Sequence, residues 1–378
     1  MVRAAMLPFA LLALAVLPAS AGAPDFDPSR PDTWQIPHPD LYAVVARGEL
    51  VWAVGYWGTV LRSMDAGATW TAMETRTRDT LFDVSFADDL SGWAVGENGV
   101  VLRTADGGAT WAREGVEVED DLGETRPLDV HLFGVCALSP DEAWAVGDLG
   151  VLLRRRAGRW ERVAIPEESF ADENVPDRIL NAVDFLDPLH GWIVGEFGTT
   201  LRTADGGATW VGERRFVGVA QDLYLFDVSA LDERRAAVVG LAGNVLVTED
   251  GGSTWEPRRA ETSAPLYAIA WGDEIGIAVG NRGEMFATED SGRSWLEPKR
   301  PRLFNWLSGV ARGSGPRFYA VGEKGLVLRS DDEGESWSQL FGREPPPLSG
   351  VSVPDPGRSR ELGPEGVKIP FPPGEPER

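Results

Sequence analysis

Trp93-Ala-Val-Gly96, Gly99, Val101-Leu-Arg-Thr104 and Asp106-Gly-Gly-Ala-Thr-Trp111 form one unit, and its recurrence decides the fold. The unit returns as Trp52 to Trp70, Trp144 to Trp160, Trp192 to Trp210, Val238 to Trp255, Ala278 to Trp295 and Tyr319 to Trp337, seven copies in all. The glycine closing each Val-Gly pair falls at 55, 96, 147, 195, 240, 280 and 322, so the period is 40 to 51 residues. Each copy carries four strand signals. An apolar run comes first (Leu41-Tyr-Ala-Val-Val, Leu81-Phe-Asp-Val-Ser-Phe and their equivalents). The Trp-Ala-Val-Gly segment is the second strand. Two residues between glycines mark a hairpin leading into Val-Leu-Arg, and the last strand begins at the closing tryptophan. Four short strands per period of this length are the signature of propeller blades. The expectation is an all-β, seven-bladed β-propeller of four-stranded antiparallel blades.

The packing logic agrees. A lone four-stranded sheet buries neither face well, whereas seven around an axis cover one another. Small residues in the first strand suit a crowded axis, and one large tryptophan per blade can fill the wedge that widens outward. Thr33-Trp34 reads as a stray fourth strand and Leu348-Ser-Gly-Val-Ser-Val353 as a stray first strand, either of which could join the seam between the chain ends. The expected domains are a signal peptide over 1–21, the propeller over 22–353, and a disordered tail rich in proline, glycine and charge over 354–378. The signal rests on Arg3, the apolar run Met6 to Leu17 and the small-x-small site Ala19-Ser20-Ala21. That run is short for a bilayer span. The expected location is therefore exported: periplasm, thylakoid lumen or extracellular space, without stable membrane insertion.

The turn before each tryptophan follows S/T-x-D-x-G-x-S/T-W. It is complete at Ser63 to Trp70, Thr104 to Trp111, Thr203 to Trp210, Thr248 to Trp255, Thr288 to Trp295 and Ser330 to Trp337. The third copy, Arg155-Arg156-Ala157-Gly158-Arg159-Trp160, lacks the aspartate. The aspartate can accept hydrogen bonds from backbone N–H groups of its own turn, and six equivalent carboxylates cannot all be catalytic. This turn resembles the Asp-box, or bacterial neuraminidase (BNR) repeat. The longer unit resembles the photosystem II stability and assembly factor family over roughly 34–353. The resemblance implies a lumenal or periplasmic, non-enzymatic chaperone of photosynthesis that holds a membrane-protein subunit during photosystem II assembly, with protein binding through an arginine patch.

An arginine does recur before the turn, at Arg62, Arg103, Arg154, Arg202 and Arg329, giving way to Val247 and Ala287 in two adjacent copies. Two roles stand open for it: a partner-binding surface, or pairing with neighbouring acids and tryptophans. On the opposite rim, Tyr56-Trp57 and Phe197 occupy turn tips and are plausible contact anchors. Three consecutive joins on that rim are long: Ala112 to His131, Glu161 to Ile179 and Val211 to Tyr224.

Composition narrows the classes further. The formal net charge is −23 and the pI about 4.6, which argues against nucleic acid and suits a charge-repelled monomer. Cys136 is the single cysteine, so no intrachain disulfide exists, and its apolar run reads as a buried, inert thiol. His38, His131 and His190 form no ligand motif, and Glu119-Asp120-Asp121 lacks calcium-loop spacing. No phosphate-binding glycine loop is present. No catalytic residue, cofactor or metal site is assigned. The alternative reading is a secreted glycan-active propeller, either a sialidase-like hydrolase with paired carboxylates or a carbohydrate-binding module. The sialidase start motif is missing: Ala164-Ile165-Pro166 lacks its arginine.

Overall fold

The structure is a computed structural model and describes residues 39–119, 124–166, 169–170, 178–212, 216, 223–258, 260–272 and 274–341. It is a seven-bladed β-propeller. Blade 1 comprises Leu41–Arg47, Leu50–Gly55, Thr59–Ser63 and Thr71–Met73, hydrogen-bonded in that order. The same meander repeats from Leu81–Phe86 to Ala112–Arg113 (blade 2), Leu132–Ser139 to Arg159–Arg162 (blade 3), Leu180–Phe185 to Val211–Gly212 (blade 4), Leu225–Ala230 to Glu256–Pro257 (blade 5) and Leu307–Arg312 to Ser338–Phe341 (blade 7). Blade 6 has three strands, Leu266–Gly272, Ile275–Gly280 and Met285–Thr288. Its fourth place is held by a single antiparallel bridge, in which Ala287 and Leu296 exchange N–H···O bonds of 2.8 and 2.9 Å. The join between blades 2 and 3 carries its own hairpin, Glu117–Glu119 with Thr125–Pro127.

The first strands of neighbouring blades touch around the whole ring, which puts them at the axis. Among the described residues both blade 1 and blade 7 are complete without a borrowed strand. Ring closure is side-chain packing of Leu41, Val44 and Ala53 on Tyr319, Val321 and Val327. Ser308 Oγ donates to Leu41 O, and Arg317 pairs with Glu49 at 2.7 Å. The two terminal segments expected at this seam, Thr33-Trp34 and Leu348–Val353, lie outside the described residues, as do the signal segment and the tail.

The core is divided into seven apolar clusters, one per blade interface. Trp52, Trp93, Trp144 and Trp192 on the second strands are fully buried, with Tyr319 in their place in blade 7. Each tryptophan packs outward onto the next blade. Trp144 meets Trp210 of blade 4 edge-on at 5.8 Å, and Trp192 meets Trp255 of blade 5 at 5.7 Å. Trp52 stacks on Phe86 of blade 2 at 3.8 Å.

Every complete Asp-box closes in the same way. In blade 4 Asp205 accepts from Thr209 N (2.9 Å), Thr209 Oγ1 (2.6 Å) and Thr203 Oγ (2.8 Å), while Gly207 N donates to Thr203 Oγ at 2.8 Å. These bonds, that from the Thr209 hydroxyl foremost, pull Asp205 down to about 2. Blade 3 departs. Cross-strand register puts Arg155 where the other blades have serine or threonine. Its side chain is buried, pairs with Glu114 of blade 2 at 2.9 Å, and lies over the Trp93 ring at 5.2 Å. Glu114 also accepts from Trp93 Nε1 (3.2 Å) and Trp160 Nε1 (3.0 Å). A buried ion pair thus takes the place of the missing turn. Cys136 is buried as expected, and burial raises its thiol pKa.

Trp144→Ala should destabilise the chain by about 3–5 kcal/mol, read from urea unfolding, because the neighbouring rings cannot collapse into the vacated wedge. Glu114→Leu should cost about 3–5 kcal/mol by removing the close partner of the buried Arg155 charge, which then keeps only Asp141, and the double variant Glu114→Leu/Arg155→Met should recover most of that loss. A Glu114→Leu midpoint equal to wild type would contradict the ion pair's role at this joint.

Candidate partner-binding face

The two ends of the propeller are built differently. The first hairpin of each blade lies beside the Asp-box on one face: Gly107 N donates to Leu90 O at 2.8 Å, and Gly206 N to Leu189 O at 2.9 Å. The opposite face carries the turns between second and third strands together with the joins between blades. There Tyr56 N donates to Asp40 O, Glu97 N to Thr80 O and Glu196 N to Ile179 O at 2.9–3.0 Å, and the equivalent bond recurs in all seven blades. This approach demands the Val-Gly glycine. A Cβ on Gly96 would stand 1.8 Å from Thr80 O, and one on Gly55 2.0 Å from Asp40 O. The backbone is extended at both, so the need is for space rather than for unusual torsion.

The tip of each of these turns is a residue at positive φ (53–60°): Trp57, Asn98, Leu149, Phe197, Ala242, Arg282 and Lys324. Bulky residues adopt this conformation at some cost, so the turn is held by its surroundings. The apolar tips belong to blades 1, 3, 4 and 5, the polar or charged ones to blades 2, 6 and 7. Tyr56 stacks with Trp57 at 6.0 Å, and Arg78 lies over Trp57 at 5.8 Å. Tyr56 and Phe197 are each 37% exposed and Leu149 51%. Phe197 lies 5.6 Å from Tyr224.

Inside this ring of tips stands an aromatic collar that the sequence reading missed. The second residue of each first strand points to the axial opening: Tyr42, Phe82, Phe133, Phe226 and Tyr267, interrupted by Asn181 and Ser308. Neighbouring collar rings meet at 5.8 Å (Tyr42–Phe82), 5.4 Å (Phe82–Phe133) and 5.7 Å (Phe226–Tyr267), and His131 joins at 6.2 Å from Phe82. Burial, with Asp40 and Glu97 nearby, raises the Tyr42 phenol above its ordinary range, and burial pushes Tyr267 up to about 12. The available signal was the aromatic following the leading leucine in five of the seven copies.

Below the collar the axis is not lined by small residues alone. Asp83, Asp184 and Asp227 stand on first strands, and each accepts a 2.8 Å hydrogen bond from the next blade's first strand, at Val135, Ala230 and Ile269 N. These bonds satisfy strand-edge N–H groups that no further strand covers. Burial pushes Asp83 up to about 7 and Asp227 up to about 8, with the other axial carboxyls adding to the shift, and raises Asp184 as well.

The five arginines sit at the far end of the third strands, beside the Asp-boxes, and the structure does not bring them together with Tyr56, Trp57 and Phe197. Each is paired across strands with the large residue of the second strand. Arg103, Arg154 and Arg202 lie over Trp93, Trp144 and Trp192 at 4.9–5.6 Å. Arg103 donates to Pro140 O of blade 3 (3.1 Å), Arg202 to Glu233 O of blade 5 (3.1 Å) and Arg329 to Ala66 O of blade 1 (3.0 Å). Arg62 lies beside Gly107 of blade 2, and Arg154 pairs with Glu142 of its own blade.

The family described as photosynthesis system II assembly factor YCF48 matches residues 66–175 and 167–296, most of the repeat array. The chain belongs to this family. Among curated family members, photosystem II assembly protein Ycf48 of Synechococcus sp. (strain JA-3-3Ab) is 35% identical over 171 residues, 44% of this chain and 48% of that protein. The chain thus spans about half the length of the curated relative it matches. A solved structure of YCF48 bound to D1 peptide superposes with a TM-score of 0.55 at 23% identity, covering 72% of this chain and 84% of that one. The GH74 enzyme of Niastella koreensis superposes with a TM-score of 0.59 at 13% identity, over 79% of this chain and 54% of that one. At these identities the two superpositions show the shared propeller fold alone. Among the described residues no helix is long and apolar enough to cross a membrane.

The two sets of carboxyls give the stability opposite pH dependences. The axial group's folded pKa values lie above the ordinary 3.8, so its contribution is full below about pH 4 and is lost as pH rises through 7 to 8. The Asp-box values lie below 3.8, so their contribution holds above that pH and is lost as pH falls toward 2. The melting temperature should therefore be higher at pH 5 than at pH 8, and Asp227→Asn should narrow the gap. A flat profile between those two values would contradict it.

Proposed function

We propose that the chain is an exported, non-enzymatic assembly scaffold that holds a segment of a membrane-protein subunit against its connection face during photosystem assembly. The observation that carries this reading is the gathering of apolar groups on that one face: the aromatic collar at the axis, with Tyr56, Trp57, Leu149 and Phe197 around it. Exposed aromatics clustered at loop tips make strong contact anchors. Family membership supports the assembly role, and the relative solved with a D1 peptide supports a peptide segment as ligand. Export to a lumen or periplasm rests on the leader-like segment 1–21, and a monomeric state on the net charge of −23.

A second contact surface is the arginine set on the Asp-box face. It is favoured by the partial exposure of the Arg103, Arg154 and Arg329 side chains. Charge-assisted pairing with a partner carboxylate would satisfy such groups.

Fluorescence anisotropy with a labelled D1 peptide tests both surfaces. Tyr56→Ala/Trp57→Ala/Phe197→Ala should weaken binding about tenfold or more while circular dichroism stays native. Arg103→Glu/Arg154→Glu/Arg202→Glu, folded, should leave it within about twofold if the connection face is the main site. Loss only in the arginine variant would move the site to the other face. No saturable binding by the wild-type chain would sink the peptide reading.

A further inference from the structure

The first hairpins of blades 4 and 5 meet at their seam on the Asp-box face, away from the connection face proposed as the main partner surface. There Asp187 Oδ2 and His190 Nδ1, 2.9 Å apart, face the Glu233 carboxylate, and the three ligand atoms all lie within 4.8 Å of one another. We propose that Asp187, His190 and Glu233 bind a divalent transition-metal ion, of the zinc or manganese kind, across this seam.

The turn that presents Asp187 is a repeated device, and the repetition separates what the fold needs from what it does not. Asp187 Oδ1 accepts from Leu189 N at 2.7 Å and His190 N at 2.9 Å. Asp88 does the same for Leu90 and Ser91 N in blade 2, and Asp232 for Arg234 and Arg235 N in blade 5. The aspartate is therefore structural in all three hairpins. The residue three places on is Ser91, His190 or Arg235, so the turn itself asks for no imidazole. Only blade 4 places a metal ligand there.

The third ligand comes from the neighbouring blade and is held independently. Arg202, lying over Trp192, donates to the Glu233 carbonyl at 3.1 Å and fixes that backbone in the seam. Among the described residues Glu233 makes no ion pair, and His190 is the one ion-pair partner of the Asp187 carboxylate. Two carboxylates thus converge on a ring nitrogen. A divalent cation is the complement of that arrangement.

The donor set selects the class of ion. One imidazole nitrogen and two carboxylate oxygens suit zinc and manganese, whereas calcium and magnesium take oxygen-only shells. The Asp187 oxygen already held by two N–H groups orients the other toward the ion, as outer-shell hydrogen bonds do in established sites. Three protein ligands leave room for water. Binding would also tie blade 4 to blade 5.

Isothermal titration of the untagged full chain with zinc chloride tests the assignment. The expected result is saturable one-to-one binding, weakened about tenfold or more by Glu233→Gln and by His190→Ser. His190→Ser installs the residue that blade 2 already uses at this place, so the turn should survive, as circular dichroism would verify. Zinc should raise the melting temperature of wild type and not of either variant, and excess calcium should not displace it. Absence of saturable zinc binding would overturn the proposal, and so would zinc binding that both variants retain. Neither result bears on peptide binding at the other face.

Discussion

The ring depends on how the Asp-box turns of blades 1, 2, 4 and 5 are seated on the second-strand aromatic of the blade before them, while in blades 6 and 7 the equivalent glycines meet Trp271 and Ile277. Trp52 Nε1 donates to Gly107 O at 2.9 Å, and the next glycine lies against the same ring. A Cβ on Gly108 would stand 2.6 Å from Trp52 Nε1, and one on Gly207 2.3 Å from Trp144. The turn must therefore be both bare and rigid. Glycine at positive φ makes it bare. The aspartate makes it rigid by taking up the N–H and hydroxyl groups that would otherwise be satisfied by water. Neither property alone would bring one blade's turn onto the preceding blade's indole, and the fully buried tryptophans would then lie open at the widest part of the wedge.

Blade 3 shows which part of this arrangement is indispensable. It has lost the aspartate, yet Trp93 of blade 2 is no more exposed than its counterparts. Arg155 reaches the same ring from the position of the missing hydroxyl, and Glu114 neutralises it while accepting from two indoles. What is maintained is the covered aromatic, not the turn that covers it. The substitution exchanges a local network, closed within eight residues, for a charge pair linking residues forty-one apart. Its strength then depends on both partners being present, which the Asp-box avoids.

The propeller was legible because its signals are local and periodic: the apolar run, Val-Gly, the two-residue turn and the Asp-box all lie within one period of sequence. What the reading missed is what adjacent blades do to each other. Asp83 and Asp227 look like polar residues on a crowded axis until their bonds to Val135 and Ile269 are seen. The aromatic collar is visible only when the second residues of all first strands are set side by side. Asp187, His190 and Glu233 span a blade boundary, so no spacing within one repeat could reveal them. The arginines were visible as a series, but their direction was not: three of the five donate to backbone carbonyls of the following blade.

The same division explains where variation is tolerated. On the Asp-box face many side chains are occupied with joining blades or closing turns: aspartate with serine or threonine fixes the turn, tryptophans pack in the seams, and three of the arginines donate across them. On the connection face the geometry is set by backbone, through one N–H···O bond per blade and a glycine that admits the carbonyl. The tip residue contributes its tolerance of positive φ, and its side chain makes contacts that differ from blade to blade, such as Trp57 with Tyr56 and Asn98 with Asp79. Trp, Asn, Leu, Phe, Ala, Arg and Lys therefore share seven equivalent positions without disturbing the ring. A surface whose shape is fixed by backbone and whose chemistry is free to differ blade by blade is the part of this fold on which recognition can be specified at least cost to stability, and it is on the connection face that the exposed aromatics lie.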